Sequence, residues 1–363
     1  MTAGATVAPP GWVTLYTLVD VGETIDLASA ERGFAEGATS RRRPRRLEAQ
    51  TIRIPEPPLI VALASPEELL AQVPIGWRLR TSACLYDFGV ISLHHRLEWP
   101  AAQPWADVRG ILAALIHRSS YRSWAQLQAR ELAATLGGAL REPEPVATDE
   151  DYAVIRWLAS PEWISEDELA WLLLHEARPL APGSRDMLLG RDFRYTTDDR
   201  TVVAYDAALV IEPDPADEDV EFLLEFANAQ LLELKVYDGL LDVRLPALEA
   251  RAGSLSARPW RGLSRQFQPL LMEFHSLTST TARLMERADN ALRITDDIFL
   301  ARIYRAALEV MNEPAWRRSV ERKLTLARDS AESLNALSSA SRTEFLEAVI
   351  VLLIVAELLL ALF

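Results

Sequence analysis

Ala348-Val-Ile-Val-Leu-Leu-Ile-Val-Ala-Glu357-Leu-Leu-Leu-Ala-Leu-Phe363 is the most apolar stretch of the chain, and its reading decides the fold expected of the rest. As a helix it runs roughly 24 Å at 1.5 Å per residue, slightly short of a ~30 Å hydrocarbon core. Extension back through Phe345 and Leu346 closes most of that gap. Twelve of the sixteen residues are Leu, Ile, Val or Phe. Each favours insertion by about 0.3–0.6 kcal/mol near a helix centre, against roughly 2.5–3.5 kcal/mol for the acid. The expectation is a C-terminal transmembrane anchor built on Val349, Ile350, Leu353, Ile354, Glu357 and Leu360. The alternative is a buried, oligomer-forming helix of a soluble protein. Glu357 is then protonated, or hydrogen-bonded to a neighbouring anchor, because a charge facing lipid is costly.

Two heptad seams lead into this end. Phe267, Leu270, Phe274, Leu277, Thr281, Leu284, Ala288 and Ala291 alternate three and four apart, the spacing of a coiled-coil face. A second seam runs Val320, Leu324, Ala327, Ala331, Leu334, Ser338, Ser341 and Phe345, with small residues that allow close approach. The simplest arrangement is a long antiparallel α-helical hairpin standing on the membrane, paired within one chain or between subunits.

Pro213-Asp-Pro-Ala-Asp-Glu-Asp219 marks an acidic boundary before this helical half. Ahead of it, residues 1–212 read as a mixed α/β head. Its strands fall at Trp12–Val19, Ile52–Ile54, Leu59–Leu63, Trp77–Arg80, Ala83–Leu93, Tyr152–Leu158, Thr201–Tyr205 and Ala207–Ile211. Asp26 is placed to cap a short helix, and Asp87-Phe-Gly89 to form a turn. Helices are expected within Pro104–Leu140, at Ser165–His175 and at Ser184–Leu189. The fold class is α+β, with a head at 1–212, a coil-like domain at 213–341 and an anchor at 342–363.

Composition narrows the setting. The net charge of −14 does not invite nucleic acid or anionic lipid over the surface as a whole. A single cysteine, Cys84, excludes intrachain disulfides and fits a reducing compartment. Met1–Pro10 has neither the basic nor the apolar region of a secretory signal. Basic residues gather before the anchor (Arg317, Arg318, Arg322, Lys323, Arg328, Arg342), which keeps the body in the cytoplasm by the positive-inside tendency.

Several dispersed segments resemble the YagE-like family, named for a yeast role in meiotic nuclear division. They are Gly22-Glu-Thr-Ile-Asp26, Leu85-Tyr-Asp-Phe-Gly-Val-Ile91, Leu224-Glu-Phe-Ala-Asn-Ala-Gln-Leu-Leu-Glu233, Tyr237-Asp-Gly-Leu-Leu-Asp242, Trp316, Lys323-Leu324 and the acid-flanked tail Leu346–Glu357. The resemblance implies a membrane-anchored, multimeric protein of unknown activity, with a mitochondrial branch that supports organellar translation. It carries no catalytic residue set. Without a transit peptide, the chain reads as a bacterial member at the inner (cytoplasmic) membrane.

The search for chemistry is lean. His94-His95 is an adjacent pair whose rings point to opposite faces of a strand. His117, His175 and His275 match no metal spacing, and Cys84 reads as a small packed hydrophobe. The acids Asp198, Asp199, Asp206, Asp214, Asp217, Glu218 and Asp219 read mostly as solvated loops. Five arginines stand in Arg41-Arg-Arg-Pro-Arg-Arg46, and Arg41, Arg42, Arg43, Arg45 and Arg46 are the candidates for an anionic-partner contact, against a solvated-loop reading. No phosphate-cradling loop and no nucleophile elbow is present, and no cofactor and no small-molecule substrate is identified. The expected function is a membrane-tethered, self-associating scaffold whose partners are membrane lipid, further copies of the chain and, at lower weight, RNA or a ribosome. The alternative is a metal-dependent hydrolase or nuclease using the acids of Asp198–Asp219 and the arginine loop.

Overall fold

Gly11–Asp20 alternates two sets of side chains, and the alternation organises the first half of the molecule. In a strand, successive residues point to opposite faces. Trp12, Thr14, Tyr16 and Leu18 therefore face one way, Val13, Leu15, Thr17 and Val19 the other, and both sets are buried. A strand buried on both sides belongs at the centre of a sheet covered on both faces.

The computed structural model describes residues 7–35, 38–42, 56–116, 119–143, 149–161, 164–174, 176, 178–256, 267–291 and 297–362. In chain order the elements are β1 (Gly11–Asp20), β2 (Gly22–Ile25), α1 (Leu27–Gly33), β3 (Thr39–Arg41), β4 (Leu59–Leu63), α2 (Glu67–Leu70), β5 (Arg78–Leu85) and β6 (Val90–Trp99). They continue as α3 (Trp105–Ile116), α4 (Ser119–Leu136), β7 (Leu140–Pro143), β8 (Asp149–Trp157), α5 (Glu166–Leu174), α6 (Pro182–Leu189), β9 (Asp192–Phe193), β10 (Arg200–Val203) and β11 (Ala207–Ile211). Four helices close the chain: α7 (Asp219–Ser256), α8 (Phe267–Ala291), α9 (Ile298–Val310) and α10 (Glu313–Leu362).

Nine strands form one sheet in the order β3-β4-β5-β6-β1-β8-β11-β10-β9. Every neighbouring pair is antiparallel except β8 with β11, which is parallel. Strands β2 and β7 form a separate antiparallel pair. One face of the sheet is dry. Val13, Leu15, Leu97, Ile155, Trp157 and Leu209 pack there with Val108 and Leu112 of α3 and Leu169 and Leu172 of α5. Nearby, Val19, Leu85, Ile91 and Leu93 pack with Leu27 of α1 and Ala125, Ala129 and Leu132 of α4. The other face carries Trp12, Tyr16, His94, Arg96 and Arg156, and meets the first turns of α7.

Local chemistry explains the joints. The Asp26 side chain accepts from the Ser29 amide and starts α1, as its sequence position suggests. At the Asp87–Gly89 turn, Gly89 has φ +91°, and a Cβ there would lie 1.7 Å from the Gly22 carbonyl oxygen. Only glycine serves at that point. The strands expected at Leu59–Leu63 and Ala207–Ile211 form with those limits, and the one expected at Tyr152–Leu158 forms as Asp149–Trp157, starting three residues earlier, whereas Ile52–Ile54 lies outside the described residues.

The chain divides into two compact units, Met1–Glu233 with Asn290–Glu313 and Leu234–Asp289 with Pro314–Phe363. The acidic segment Pro213–Asp219 thus leads into α7 within the first unit, and α7 runs through both. In the second unit, Leu270, Phe274 and Leu277 of α8 and Leu324, Ala327, Ala331 and Leu334 of α10 share one buried cluster with Leu234, Leu241, Leu245 and Leu248 of α7. Three helices, rather than the two of a hairpin, supply this core, and the seams meet within one chain. The side chains of Phe267 and Leu284 lie outside the described residues.

The mixed α+β character stands, with a large sheet and several helices. The transmembrane span does not find support: among the described residues no helix is long and apolar enough to cross a membrane. α10 does continue through the apolar end to Leu362, and Val349, Ile350, Leu353, Ile354 and Glu357 are exposed on it. Leu360 lies on the same helix, and its side chain is outside the described residues.

Candidate functional site

Charged residues that enter a protein interior come in partnered sets, and the head holds such a set between sheet and helix. Glu218, Glu221 and Glu225 recur at three- and four-residue spacing, which aligns them along one side of α7 and the residue before it. Three guanidinium groups and a histidine face them. Arg96 on β6 donates to Glu218 at 2.6 Å. Arg156 on β8 donates to both Glu221 carboxylate oxygens at 2.7 and 2.8 Å, with both side chains fully buried. Arg42, just past β3, donates to Glu225 Oε2, while His94 Nε2 on β6 lies 2.7 Å from Glu225 Oε1.

Arg156 does more than pair with an acid. It also donates to the carbonyl oxygens of Asp214 and Asp217, each at 2.7 Å, and so fixes the loop that turns from β11 into α7. The guanidinium groups of Arg96 and Arg156 lie 4.9 and 5.4 Å from the Trp12 ring centre, and Arg42 lies 4.9 Å from that of Phe222. Such approach of a cation to an aromatic ring favours arginine over lysine.

At the Glu225 end the layer becomes chemically diverse. Cys84 and Ser92 are directly opposed on β5 and β6, and His94 is two residues along from Ser92, so all three share a face. One ligand atom from each of Cys84, His94 and Glu225 lies within 4.8 Å of the others, and all three residues are buried. Burial opposes the ionisation of Glu225, but the charges of His94 and Arg42 outweigh it and hold the carboxyl at about 2. Burial, reinforced by Glu225, pushes the Cys84 thiol well up, so it is protonated and unreactive as it stands. Burial also raises the Glu221 carboxyl, against the pull of Arg156.

The arginine run is therefore not a free basic loop at its start. Arg41 holds Glu31 at 2.8 Å and the Pro57 carbonyl at 3.0 Å, and Arg42 is committed to the interior. Arg43, Arg45 and Arg46 lie outside the described residues. The acids of the Asp198–Asp219 region serve local turns: Asp199 accepts from the Tyr195 and Thr196 amides, Asp214 from Ala216 and Asp217 from Asp219. Among the described residues they do not gather into a metal-binding group. His94 and His95 do face opposite ways, the first toward α7 and the second toward Thr81 and Trp124. His275 is exposed, and His117 and His175 lie outside the described residues. Glu225 and Arg156 carried no sequence motif; the available signal was three glutamates three and four apart, Glu218, Glu221 and Glu225, among the apolar residues at the start of α7.

Residues 10–218, from the start of β1 to the first acid of this layer, match a family model described as "Uncharacterized protein MJ0711, N-terminal domain". The chain belongs to this family. The YagE-like resemblance is thereby corrected. Two of its cues are local necessities of folding: Asp26 is a helix cap, and Asp87-Phe-Gly89 a turn in which only glycine fits. Such features recur in unrelated sheets, so they do not distinguish families. The matched family domain covers the whole nine-stranded sheet and ends where α7 begins. It supplies Arg96, Arg156 and the Cys84–His94 pair, whereas Glu221 and Glu225 come from beyond it. No curated protein and no solved structure matches the chain.

Proposed function

We propose that the protein is a membrane-tethered scaffold that self-associates, with the head offered to partners and the end of α10 held in lipid. A single observation carries this reading. Seven consecutive apolar residues on one continuous helix, Val349 through Val355, are exposed, from 37% at Val349 to 68% at Leu352. Seven successive helical positions point in every direction around the axis. A groove on another protein covers one side of such a helix, whereas hydrocarbon surrounds it. A helix apolar all round belongs in an apolar medium.

The seven residues span roughly 10 Å, about a third of a hydrocarbon core. Leu358-Leu-Leu-Ala-Leu-Phe363 continues the apolar sequence beyond Glu357. The bacterial inner membrane, with the body in the cytoplasm, is the proposed location, and further copies of the chain are the proposed partners through the same apolar end.

Flotation of the full-length chain with phosphatidylcholine vesicles tests the tether. The full chain is expected to float, and a chain ending at Glu347 to remain at the bottom of the gradient. Light scattering without detergent is expected to show assemblies for the full chain and a monomer for the shortened one. A full chain that neither floats nor assembles overturns the reading.

A further inference from the structure

The Glu225 end of the buried layer holds more ligand chemistry than an ion pair requires. An arginine and a glutamate already neutralise each other there, yet a histidine, a cysteine and two hydroxyls converge on the same point. The Tyr86 and Ser92 hydroxyls are buried and have no hydrogen-bond partner. Both sit close enough to act on neighbouring groups, Ser92 on the Glu225 carboxyl and Tyr86 on the Cys84 thiol, without reaching hydrogen-bond geometry. Buried polar groups left without partners call for an explanation.

We propose that Cys84, His94 and Glu225 form a closed structural site for a zinc ion that pins α7 to strands β5 and β6. Thiolate, imidazole and carboxylate are the three ligand types zinc takes, at about 2.3 Å to sulfur and about 2.0–2.2 Å to nitrogen and oxygen. Those lengths place tetrahedral ligand atoms roughly 3.3–3.7 Å apart, within the 4.8 Å that encloses the three atoms here. The His94–Glu225 contact of 2.7 Å opens by about 0.6 Å or more to admit the ion. Glu225 is already divided between two tasks: Oε1 faces His94, and Oε2 accepts from Arg42. Arg42 is thus the outer hydrogen-bond partner that orients a ligating carboxylate. Tyr86 or Ser92 is positioned to supply the fourth oxygen.

Binding breaks the S–H bond of Cys84 and the Nε2–H bond of His94, releases both protons to solvent and forms zinc–sulfur and zinc–nitrogen bonds, with no change of oxidation state. Thiolate and carboxylate together offset the two charges of the ion, and Arg42 leaves the site with one net positive charge. Around the site, Tyr86 stacks on Phe88, and both rings meet Phe226 at 5.9–6.0 Å. This aromatic wall keeps water out, which suits a structural ion and not a catalytic one.

The test uses the full-length chain, purified without added metal and assayed for zinc by mass spectrometry. About one zinc per chain is expected. Cys84→Ser and His94→Gln are expected to lose it, and a chelator should lower the melting temperature of the unsubstituted chain alone. Replacing zinc with cobalt should give thiolate-to-cobalt absorption in the near ultraviolet, read on the unsubstituted chain even where a variant fails to fold. A folded chain that holds no zinc and gives no such band overturns the site, leaving a self-sufficient His94–Glu225–Arg42 network. Zinc retained by a folded Cys84→Ser variant overturns it equally.

Discussion

Arg156 has no exposed surface and spends its hydrogen bonds on Glu221 and three loop carbonyls. Removing one partner of such a pair strands the other charge, at a cost of about 3–5 kcal/mol, whereas removing both is often neutral. Glu221→Gln is therefore expected to lower the urea midpoint strongly, and Arg156→Met with Glu221→Leu to recover much of that loss. The raised Glu221 carboxyl points the same way, since burial outweighs its partner's help. A double variant no better than the single one would show that the loop clamp matters more than the pair. His95, on the opposite face, supports a second expectation. Burial, with a smaller contribution from His94, lowers its imidazole to about 3, against about 6.5 in an unfolded chain. The folded state thus resists protonation while the unfolded state accepts it. Stability is complete above pH 6.5 and falls as the pH drops toward 3. Between pH 7 and pH 4.5 the loss from this residue is about 2–3 kcal/mol. His95→Gln should flatten that part of the urea-unfolding profile, and an unchanged slope would refute the assignment.

The elements legible in advance were those whose side chains announce their surroundings. β1, β4, β8 and β11 each carry a run of apolar residues, and all four lie within the sheet away from its ends. β2, β3, β7 and β9 went unread because they are two to four residues long and largely polar, and a short run carries too little pattern. The α8 and α10 seams were legible from their spacing, but their third partner in α7 was not. That helix has apolar and charged residues on nearly every side, since one stretch meets a sheet and the next a bundle, and no single period survives. The candidate site was invisible for a related reason: His94 and Glu225 are 131 residues apart, and only the sheet register brings Cys84, Ser92 and His94 onto one face. The β5–β6 turn offers a direct check on this register. Gly89→Ala puts a methyl group into the Gly22 backbone and demands a positive φ. A loss of several kcal/mol is expected, above the roughly 1 kcal/mol of an ordinary glycine-to-alanine effect. A variant of normal melting temperature would show that the turn relaxes.

At the scale of the whole molecule, α10 separates two jobs along one helix. From Val320 to Leu334 the seam residues Val320, Leu324, Ala327, Ala331 and Leu334 fall on one side and are buried in the second unit's core, with Leu326 alone of the large apolar residues exposed. From Val349 to Val355 they fall on all sides and none is buried. The first stretch maintains the fold, and the second contributes nothing to it that the chain alone can supply. Opposite consequences follow from the same substitution in the two places. Leu352→Lys alters an exposed position, where substitutions usually change stability by about 0.5 kcal/mol or less. In lipid, however, a lysine costs roughly 2.5–3.5 kcal/mol near a helix centre, which weakens vesicle binding on the order of 100-fold. Leu334→Lys places the same charge in a buried seam, where it unfolds the bundle before any question of binding arises. Circular dichroism and vesicle flotation on the two variants separate the jobs. A Leu352→Lys chain that keeps its melting temperature and loses its vesicles fits the tether, and one that keeps both removes it.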